Sequence, residues 1–264
     1  MNKEVLYNTE SNDSLYIFCD ASVYKFRTYD CNCNIVDMFI SCAGAIAVSN
    51  HRVLNETYRI ITDASNMRGE IEAIKDGVYL ALSYARFNPC IKNFYIFSDS
   101  EVSILGIRSR IFGWRCIGPD KLYQYDMEKI YQGDGIYNPI YLNGSSGFIS
   151  NQSTYLEIVN TMVENNFKVN FYHQKGHVRN TRDSIFNAKK VFERGNAFND
   201  VDVEFIRFIS GYNDMVDIKT GEVLTDALHA HRLMYTQPAH FIIKDKEEYR
   251  KTISKYNILR KGEN

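Results

Sequence analysis

The order of apolar and polar positions along the chain predicts several strands followed by a long helix. Residues 14–19, 38–48 and 57–61 are apolar or alternate between apolar and polar positions, which predicts three consecutive strands joined as antiparallel hairpins. From 67 to 84 the apolar residues recur every three or four positions, which predicts an amphipathic helix. This change of period indicates a fold in which a helix packs on a sheet.

The alternation of strands and helices continues in the second half of the chain. An apolar strand is predicted at 93–98, a helix after Ser100, another helix at 153–165 and an alternating strand at 168–173. Strands that are separated by helices tend to lie parallel in one sheet, whereas the early strands form hairpins. The predicted fold class is therefore α/β, with a mixed five-stranded sheet flanked by helices.

Three segments interrupt or extend this pattern. Residues 113–150 are rich in glycine and turn residues and predict an irregular insertion, whose aromatic and basic side chains form either a small folded core or a surface that holds nucleic acid. Residues 180–212 predict two short amphipathic helices, which as an insertion could form a lid, a dimer contact or a site for a protein partner. We therefore expect a domain over 1–221 with these two insertions, and a basic helical extension over 222–264.

Composition narrows the class of protein without identifying it. The 264 residues suit one large domain, 45% of them are hydrophobic, and the formal net charge is −1. Such a charge supplies no general attraction for phosphates, so a nucleic-acid-binding surface would need a local concentration of basic residues. No apolar run reaches the ~20 residues that span a bilayer, and the first residues lack the apolar segment of a signal peptide. We therefore expect a soluble, cytoplasmic protein without membrane contact, whose six cysteines are reduced.

Four acidic residues stand where a sheet protein can bring side chains together. Asp20 and Asp99 each end a predicted apolar strand. Glu70 lies in the first turn of the predicted central helix, and Asp217 lies at the start of a predicted later helix. Converging carboxylates repel one another and raise each other's pKa, and a divalent cation relieves that repulsion. Oxygen ligands of this kind suit Mg²⁺ or Mn²⁺.

Each of these carboxylates also has an ordinary structural explanation. Asp20 and Asp99 can be turn residues that hydrogen-bond to their own backbone. Glu70 can complement a helix N-terminus, and Asp217 can be a solvent-exposed cap. Glu72 competes with Glu70 for the helix position in the set. The four residues taken in order are harder to explain in this way than any one of them alone.

Five short motifs occur in a fixed order on the predicted elements. They are Phe18-Cys19-Asp20-Ala21-Ser22, Asn66-Met67-Arg68-Gly69-Glu70, Phe97-Ser98-Asp99-Ser100, Lys175-Gly176-His177, and Asn213 through Asp217. With these motifs the chain resembles the type 1 ribonuclease H family, and the resemblance implies an RNase H-like fold. Two features depart from the family pattern. Ala21 replaces a glycine, and the 180–212 segment lengthens the connection to the last carboxylate.

The resemblance implies a role for each matched residue. Asp20, Glu70, Asp99 and Asp217 would act in catalysis by binding two Mg²⁺ ions, with Mn²⁺ as a substitute. His177 would be a mobile catalytic histidine near the scissile phosphate. Glu70 is preferred to its competitor two residues later because its spacing from the preceding arginine fits the family. The residues that would contact nucleic acid are Ser22, Asn66, Arg68 and Ser100.

The activity that the resemblance implies is metal-dependent hydrolysis of the RNA strand of an RNA–DNA hybrid. This endoribonuclease reaction would leave 5′-phosphate and 3′-hydroxyl ends. Two alternatives stay open: a catalytically silent RNase H-like module that binds nucleic acid or a protein, and a nuclease of the same fold that acts on another nucleic acid. The sequence Asp20-Ala21-Ser22 argues against a proofreading-type exonuclease, which would carry a second carboxylate there.

Overall fold

The predicted strands assemble into one mixed sheet in the computed structural model of the protein. The described residues are 6–29, 35–62, 64–108, 114–117, 140–143, 147–148 and 151–234. Their strands are β1 (Ser14–Tyr29), β2 (Ile35–Ser49), β3 (Arg52–Thr62), β4 (Asn93–Ser98), β5 (Trp114–Ile117), β6 (Ile140–Asn143), β7 (Gly147–Phe148) and β8 (Asn170–His173). The main sheet has the order β3-β2-β1-β4-β8. Strands β1, β2 and β3 are antiparallel neighbours, and β4 and β8 run parallel to β1, which confirms the predicted mixed five-stranded sheet.

Helices cover both faces of the main sheet. The helices of the described ranges are α1 (Asn66–Phe87), α2 (Glu101–Arg108), α3 (Gln152–Glu164), α4 (Arg182–Asn196) and α5 (Val203–Met234). Helices α1, α2 and α3 pack on one face, and α4 and α5 pack on the other. The predicted flanking of the sheet by helices is confirmed.

The side chains of β1 show how the two faces share one strand. Leu15 and Ile17 are fully buried in the apolar cluster that contains α1, whereas Tyr16 and Phe18 are fully buried in the cluster that contains α5. Successive side chains of a strand point to opposite faces, so a strand between two helical layers is apolar at every position. This explains why the strand reads as a continuous apolar run in the sequence.

The 180–212 segment forms part of the core. Phe192 of α4 and Phe205 of α5 are buried in the same cluster as the aromatic side chains of β1. The prediction of two short helices is wrong for the second of them, because α5 is a single helix of 32 residues. It continues past 221 because Val216 and Leu224 extend its buried face.

We expect the aromatic contacts of α5 to contribute strongly to stability. The ring of Phe208 lies 5.2 Å from that of Tyr16 and 5.9 Å from that of Phe18. Phe208→Ala should lower the free energy of unfolding by about 3–5 kcal/mol, because it leaves a cavity between helix and sheet. Phe186 of α4 is 56% exposed, so Phe186→Ala should change that free energy by about 0.5 kcal/mol or less. Equal effects of the two substitutions in urea unfolding would contradict this core placement.

A small second sheet lies within the predicted 113–150 insertion. Strands β5, β6 and β7 are antiparallel neighbours in that order, so this segment is more regular than predicted. Its aromatic and basic residues between 118 and 139 lie outside the described residues, as does the predicted extension from 235 onward. In the part of the chain that the structure describes, no helix combines the length and apolar character needed to cross a membrane.

Candidate metal centre

Three carboxylates meet where β4 ends. Asp20, Glu70 and Asp99 each offer one oxygen atom, and these three oxygens lie within 4.8 Å of one another. Asp20 and Glu70 are buried, and Asp99 is half-buried. Asp20 lies on β1, Glu70 lies on α1 and Asp99 directly follows β4, so the fold brings together three carboxylates that are distant in sequence.

The parallel pairing of β1 with β4 places the two aspartates side by side. Phe18 of β1 lies opposite Phe97 of β4, and Asp20 and Asp99 each follow two residues later along these neighbouring strands. Asp99 directly follows β4, as predicted. The prediction that Asp20 ends its strand is wrong, because β1 continues well beyond it and Asp20 pairs with Gly44 of β2. Of the two strands that pair with β1, β4 ends next to the carboxylates, whereas β2 stays paired with β1 beyond them.

Glu70 reaches the aspartates because the N-terminal part of α1 lies against the sheet. The prediction that Glu70 lies in the first turn is wrong by one residue, since α1 begins at Asn66. Ser65 caps this helix, and its hydroxyl accepts a hydrogen bond of 3.4 Å from the backbone N–H of Arg68. A Cβ atom at Gly69 would lie 2.1 Å from the Oγ atom of Ser41. Only glycine allows this close approach, which brings the next residue, Glu70, to the strands.

The geometry of the cluster disfavours full ionisation of its carboxyl groups. Burial and the charge of Asp99 raise the pKa of Asp20 to about 8, against a smaller opposing effect of the hydrogen bond from the Ala21 N–H. Burial and the charges of Asp20 and Asp99 raise the pKa of Glu70 well above its usual range. Burial also raises the pKa of Asp99, and the nearby His177 opposes that rise. Closely spaced anions with little solvent favour either protonation or a bound cation.

The donor atoms of the cluster fit a divalent metal ion. The Oε2 atom of Glu70 is buried and has no hydrogen-bond partner among the described residues. A buried carboxylate oxygen without a partner is costly, and a cation is the ligand that satisfies it best. All three side chains offer hard oxygen ligands, which Mg²⁺ and Mn²⁺ prefer. The residues present are therefore suited to hold a divalent cation.

Glu72 has a different role from Glu70, although both are buried in the same helix. Its Oε2 atom lies 2.8 Å from Arg59 and 2.8 Å from Lys75, and its Oε1 atom accepts a hydrogen bond of 2.9 Å from Thr154. These contacts join α1 to β3 and α3. Glu72 is therefore a paired structural carboxylate, and Glu70 is the one that faces the aspartates.

Asp217 and His177 face each other beside the cluster. The Nδ1 atom of exposed His177 lies 3.3 Å from the Oδ2 atom of half-exposed Asp217. The charge of Asp217 adds to the rise in pKa of both Asp20 and Glu70, although Asp217 is not among the three residues within 4.8 Å. The prediction that Asp217 starts a helix is wrong, because α5 begins at Val203.

Two further residues of the site were missed in the sequence. Asp214 lies one turn before Asp217 on α5, and burial raises its pKa while His177 opposes the rise and Asp217 adds to it. The sequence signal for Asp214 is its spacing of three residues from Asp217, because residues three apart share a helix face. Gly176 lies so close to Asp99 that a Cβ atom there would be 2.0 Å from Oδ2. Nothing in the sequence beyond the motif itself indicates that contact.

The predicted nucleic-acid-binding residues lie on the elements that carry the carboxylates. Asn66 is exposed at the start of α1, and Arg68 is half-buried with an Nε atom that has no partner among the described residues. The Oγ atom of Ser22 lies 3.0 Å from that of Thr220, and the hydroxyl of Ser100 donates a hydrogen bond of 2.8 Å to a neighbouring serine. Their contacts with nucleic acid stay predictions.

The strand order and the position of the carboxylates together define the class of this protein. The order β3-β2-β1-β4-β8, with helices on both faces and an acidic cluster beside β1 and β4, is an RNase H-like fold with a candidate metal centre. No protein-family model matches the chain, and no curated protein matches it by sequence.

Solved structures of RNase H proteins and of a viral protease-reverse transcriptase align with most of the chain. An LC11 RNase H1 isolated from compost is 11% identical, with 69% of this chain and 95% of that one covered and a TM-score of 0.39. The N-terminal RNase H domain of a Mycobacterium tuberculosis protein is 14% identical, with 70% and 98% covered and a TM-score of 0.37. A foamy viral protease-reverse transcriptase in complex with RNA/DNA hybrid is 11% identical, with 72% and 20% covered and a TM-score of 0.40. Because these TM-scores are low, the fold assignment rests on the strand order and the site.

Proposed function

We propose that this protein is a metal-dependent endoribonuclease that cleaves the RNA strand of RNA–DNA hybrids and leaves 5′-phosphate and 3′-hydroxyl ends. The observation that carries the proposal is the convergence of Asp20, Glu70 and Asp99 within 4.8 Å. The burial of Asp20 and Glu70, and a Glu70 Oε2 atom without a hydrogen-bond partner among the described residues, support a role in cation binding and in phosphate chemistry.

In this proposal the carboxylates hold the catalytic ions and His177 moves a proton. Asp20, Glu70, Asp99 and Asp217 would hold two Mg²⁺ ions, or Mn²⁺ in their place. Bound ions of this kind supply an activated water and stabilise the charge on the leaving 3′-oxygen. Exposed His177, whose Nδ1 atom lies 3.3 Å from Asp217, would accept or donate a proton at the phosphate oxygens, or assist product release.

The substrate side of the proposal uses the start of α1. Asn66 is exposed four residues before Glu70, so its amide is available to contact a 2′-hydroxyl of the RNA strand. Arg68, Ser22 and Ser100 would contact the sugar–phosphate backbone near the carboxylates. The 2′-hydroxyl is the group through which such a site distinguishes RNA from DNA.

Cleavage of defined nucleic acids tests this proposed function directly. Labelled RNA–DNA hybrid, double-stranded RNA, single-stranded RNA and double-stranded DNA are each incubated with the full chain in Mg²⁺, Mn²⁺ or EDTA. We expect cleavage of the hybrid RNA strand with either metal and none in EDTA. The fragments downstream of each cut should accept a 5′-label from a kinase only after phosphatase treatment. Binding of the hybrid without cleavage in either metal would instead favour the silent nucleic-acid-binding module.

A further inference from the structure

Two buried side-chain amides join the Lys175-Gly176-His177 loop to α5. Gln174 directly precedes this loop, and Asn213 lies one helical turn before Asp217. The Nε2 atom of Gln174 donates a hydrogen bond of 2.7 Å to the Oδ1 atom of Asn213. Each of the two side chains is only 1% exposed, and a hydrogen bond without competing water holds its geometry well.

Gln174 is also fixed to the strand that carries Asp99. Its backbone N–H donates a hydrogen bond of 3.0 Å to the carbonyl of Ser98. Two residues later, Gly176 lies against the carboxylate of Asp99. Gln174 therefore connects β4 through its backbone and α5 through its side chain, which are the elements on the two sides of the proposed metal centre.

The direct contact between His177 of the loop and Asp217 of α5 is too exposed to fix the position of the loop relative to the helix. The side chain of His177 is 79% exposed where it meets Asp217, and exposed ion pairs hold their geometry weakly. His177 also has a φ of 51°, a left-handed conformation that residues other than glycine rarely adopt. Such a conformation persists only where neighbouring structure supports it.

We infer that Gln174 and Asn213 are positioning residues whose hydrogen bond fixes the placement of His177 relative to Asp217. As a statement about catalysis, this inference rests on the proposed function. A role in stability alone would be served as well by two apolar side chains, which avoid the burial of polar groups. The Oε1 atom of Gln174 is in fact buried without a partner among the described residues. The polar pair gives a defined geometry that apolar packing does not impose.

The test that does not depend on activity uses the ring signal of His177 in the metal-free full chain, recorded by ¹H–¹³C NMR and assigned with His177→Ala. Gln174→Met should shift or broaden this signal. Thr154→Val is the matched control, because it removes another buried side-chain hydrogen bond, of 2.9 Å, on the opposite face of the sheet. The control should lower the melting temperature and leave the His177 signal unchanged. An unchanged signal in Gln174→Met, or the same change in the control, would overturn the inference.

A double substitution keeps the test usable if Gln174→Met alone is too unstable. Gln174→Met combined with Asn213→Leu removes both buried amides, so it should be more stable than the single variant while the His177 signal stays altered. A double variant with the wild-type signal would overturn the inference.

Kinetics on the hybrid then separates positioning from general instability. Gln174→Met should lower kcat on the order of 10- to 100-fold with KM within about twofold. In a His177→Ala background it should lower kcat no further, because the residue acts through the loop. Fully additive losses would overturn the inference. If the wild type cleaves no hybrid while the His177 signal still responds, the proposed function fails and the link between loop and helix is supported.

Discussion

Glu70→Gln is expected to reduce cleavage of the RNA–DNA hybrid by on the order of 10²- to 10³-fold or more, whereas Glu72→Gln should retain most of the activity. The two residues form a matched pair, since both are buried glutamates on one helix. The carboxylate of Glu70 faces Asp20 and Asp99, but that of Glu72 contacts Arg59 and Lys75. Removing one negative oxygen therefore affects the proposed metal centre in the first case only.

For stability we expect the opposite order, with Glu72→Gln the more damaging of the two substitutions. Glu70→Gln removes a carboxyl group whose ionisation is disfavoured in the metal-free protein, so the melting temperature should stay the same or rise. Glu72→Gln breaks two charged contacts and should lower the free energy of unfolding by about 1–3 kcal/mol. Thermal unfolding and urea unfolding in EDTA measure both variants.

The crossed pattern separates a catalytic effect from loss of folded protein. If Glu72→Gln abolished cleavage while Glu70→Gln kept it, the assignment of the helix carboxylate would be wrong. Asp99→Asn tests the strand in the same way, and we expect it to be inactive and folded. Full activity in Asp99→Asn would remove the basis for the proposed centre.

The positions of Asp99 and Glu70 near the ends of their elements are predicted from local patterns. Asp99 follows a short apolar run whose last buried residue is directly before it, and the structure ends β4 at that point. Glu70 lies near the start of a helix, just past the predicted first turn, and that start is marked by a capping serine and a clear apolar period. Both patterns fall within one window of the chain, so no knowledge of distant partners is needed.

The parts that the sequence does not predict depend on contacts between distant segments. The continuation of β1 beyond Asp20 is fixed by pairing with β2, which the alternation of β1 alone does not reveal. Helix α5 is long because its buried residues contact the sheet along its length. Its first turns pack on the aromatic side chains of β1 and β4, and Leu224 and Leu228 pack on β2. The contact of Gly176 with Asp99 and the bond between Gln174 and Asn213 likewise join segments that only the fold brings together.

In buffer without divalent cations, the wild-type protein is expected to lose thermal stability as the pH rises from about 5 to about 8. Burial and the charge of Asp99 raise the pKa of Asp20 from 3.8 in the unfolded chain to about 8 in the folded protein. The folded state thus holds a proton that the unfolded state releases. The resulting stabilisation is complete below the unfolded pKa and is lost as the pH rises through the folded one.

Asp20→Asn should remove most of this pH dependence because its amide carries no charge at any pH. At about pH 8 the variant should melt about 5 °C or more above the wild type, given ~2–4 °C for each kcal/mol in a domain of this size. At about pH 5 the two should be similar. Asp226→Asn replaces an exposed carboxylate on α5 and serves as the control that keeps the wild-type pH dependence.

Added Mg²⁺ or Mn²⁺ should restore the stability of the wild type at about pH 8 and should have little effect on Asp20→Asn. Protons and cations compete for the same oxygens, so the stabilisation by metal should grow with pH in the wild type. Differential scanning calorimetry with EDTA, Mg²⁺ and Mn²⁺ measures each case. A melting temperature of the metal-free wild type that is independent of pH, or equal gains from metal in both proteins, would contradict a cation-binding role for Asp20. If Asp20→Asn is more stable than the wild type without metal, does not respond to metal and does not cleave the hybrid, then the same carboxylate causes the charge repulsion, binds the cation and is needed for cleavage.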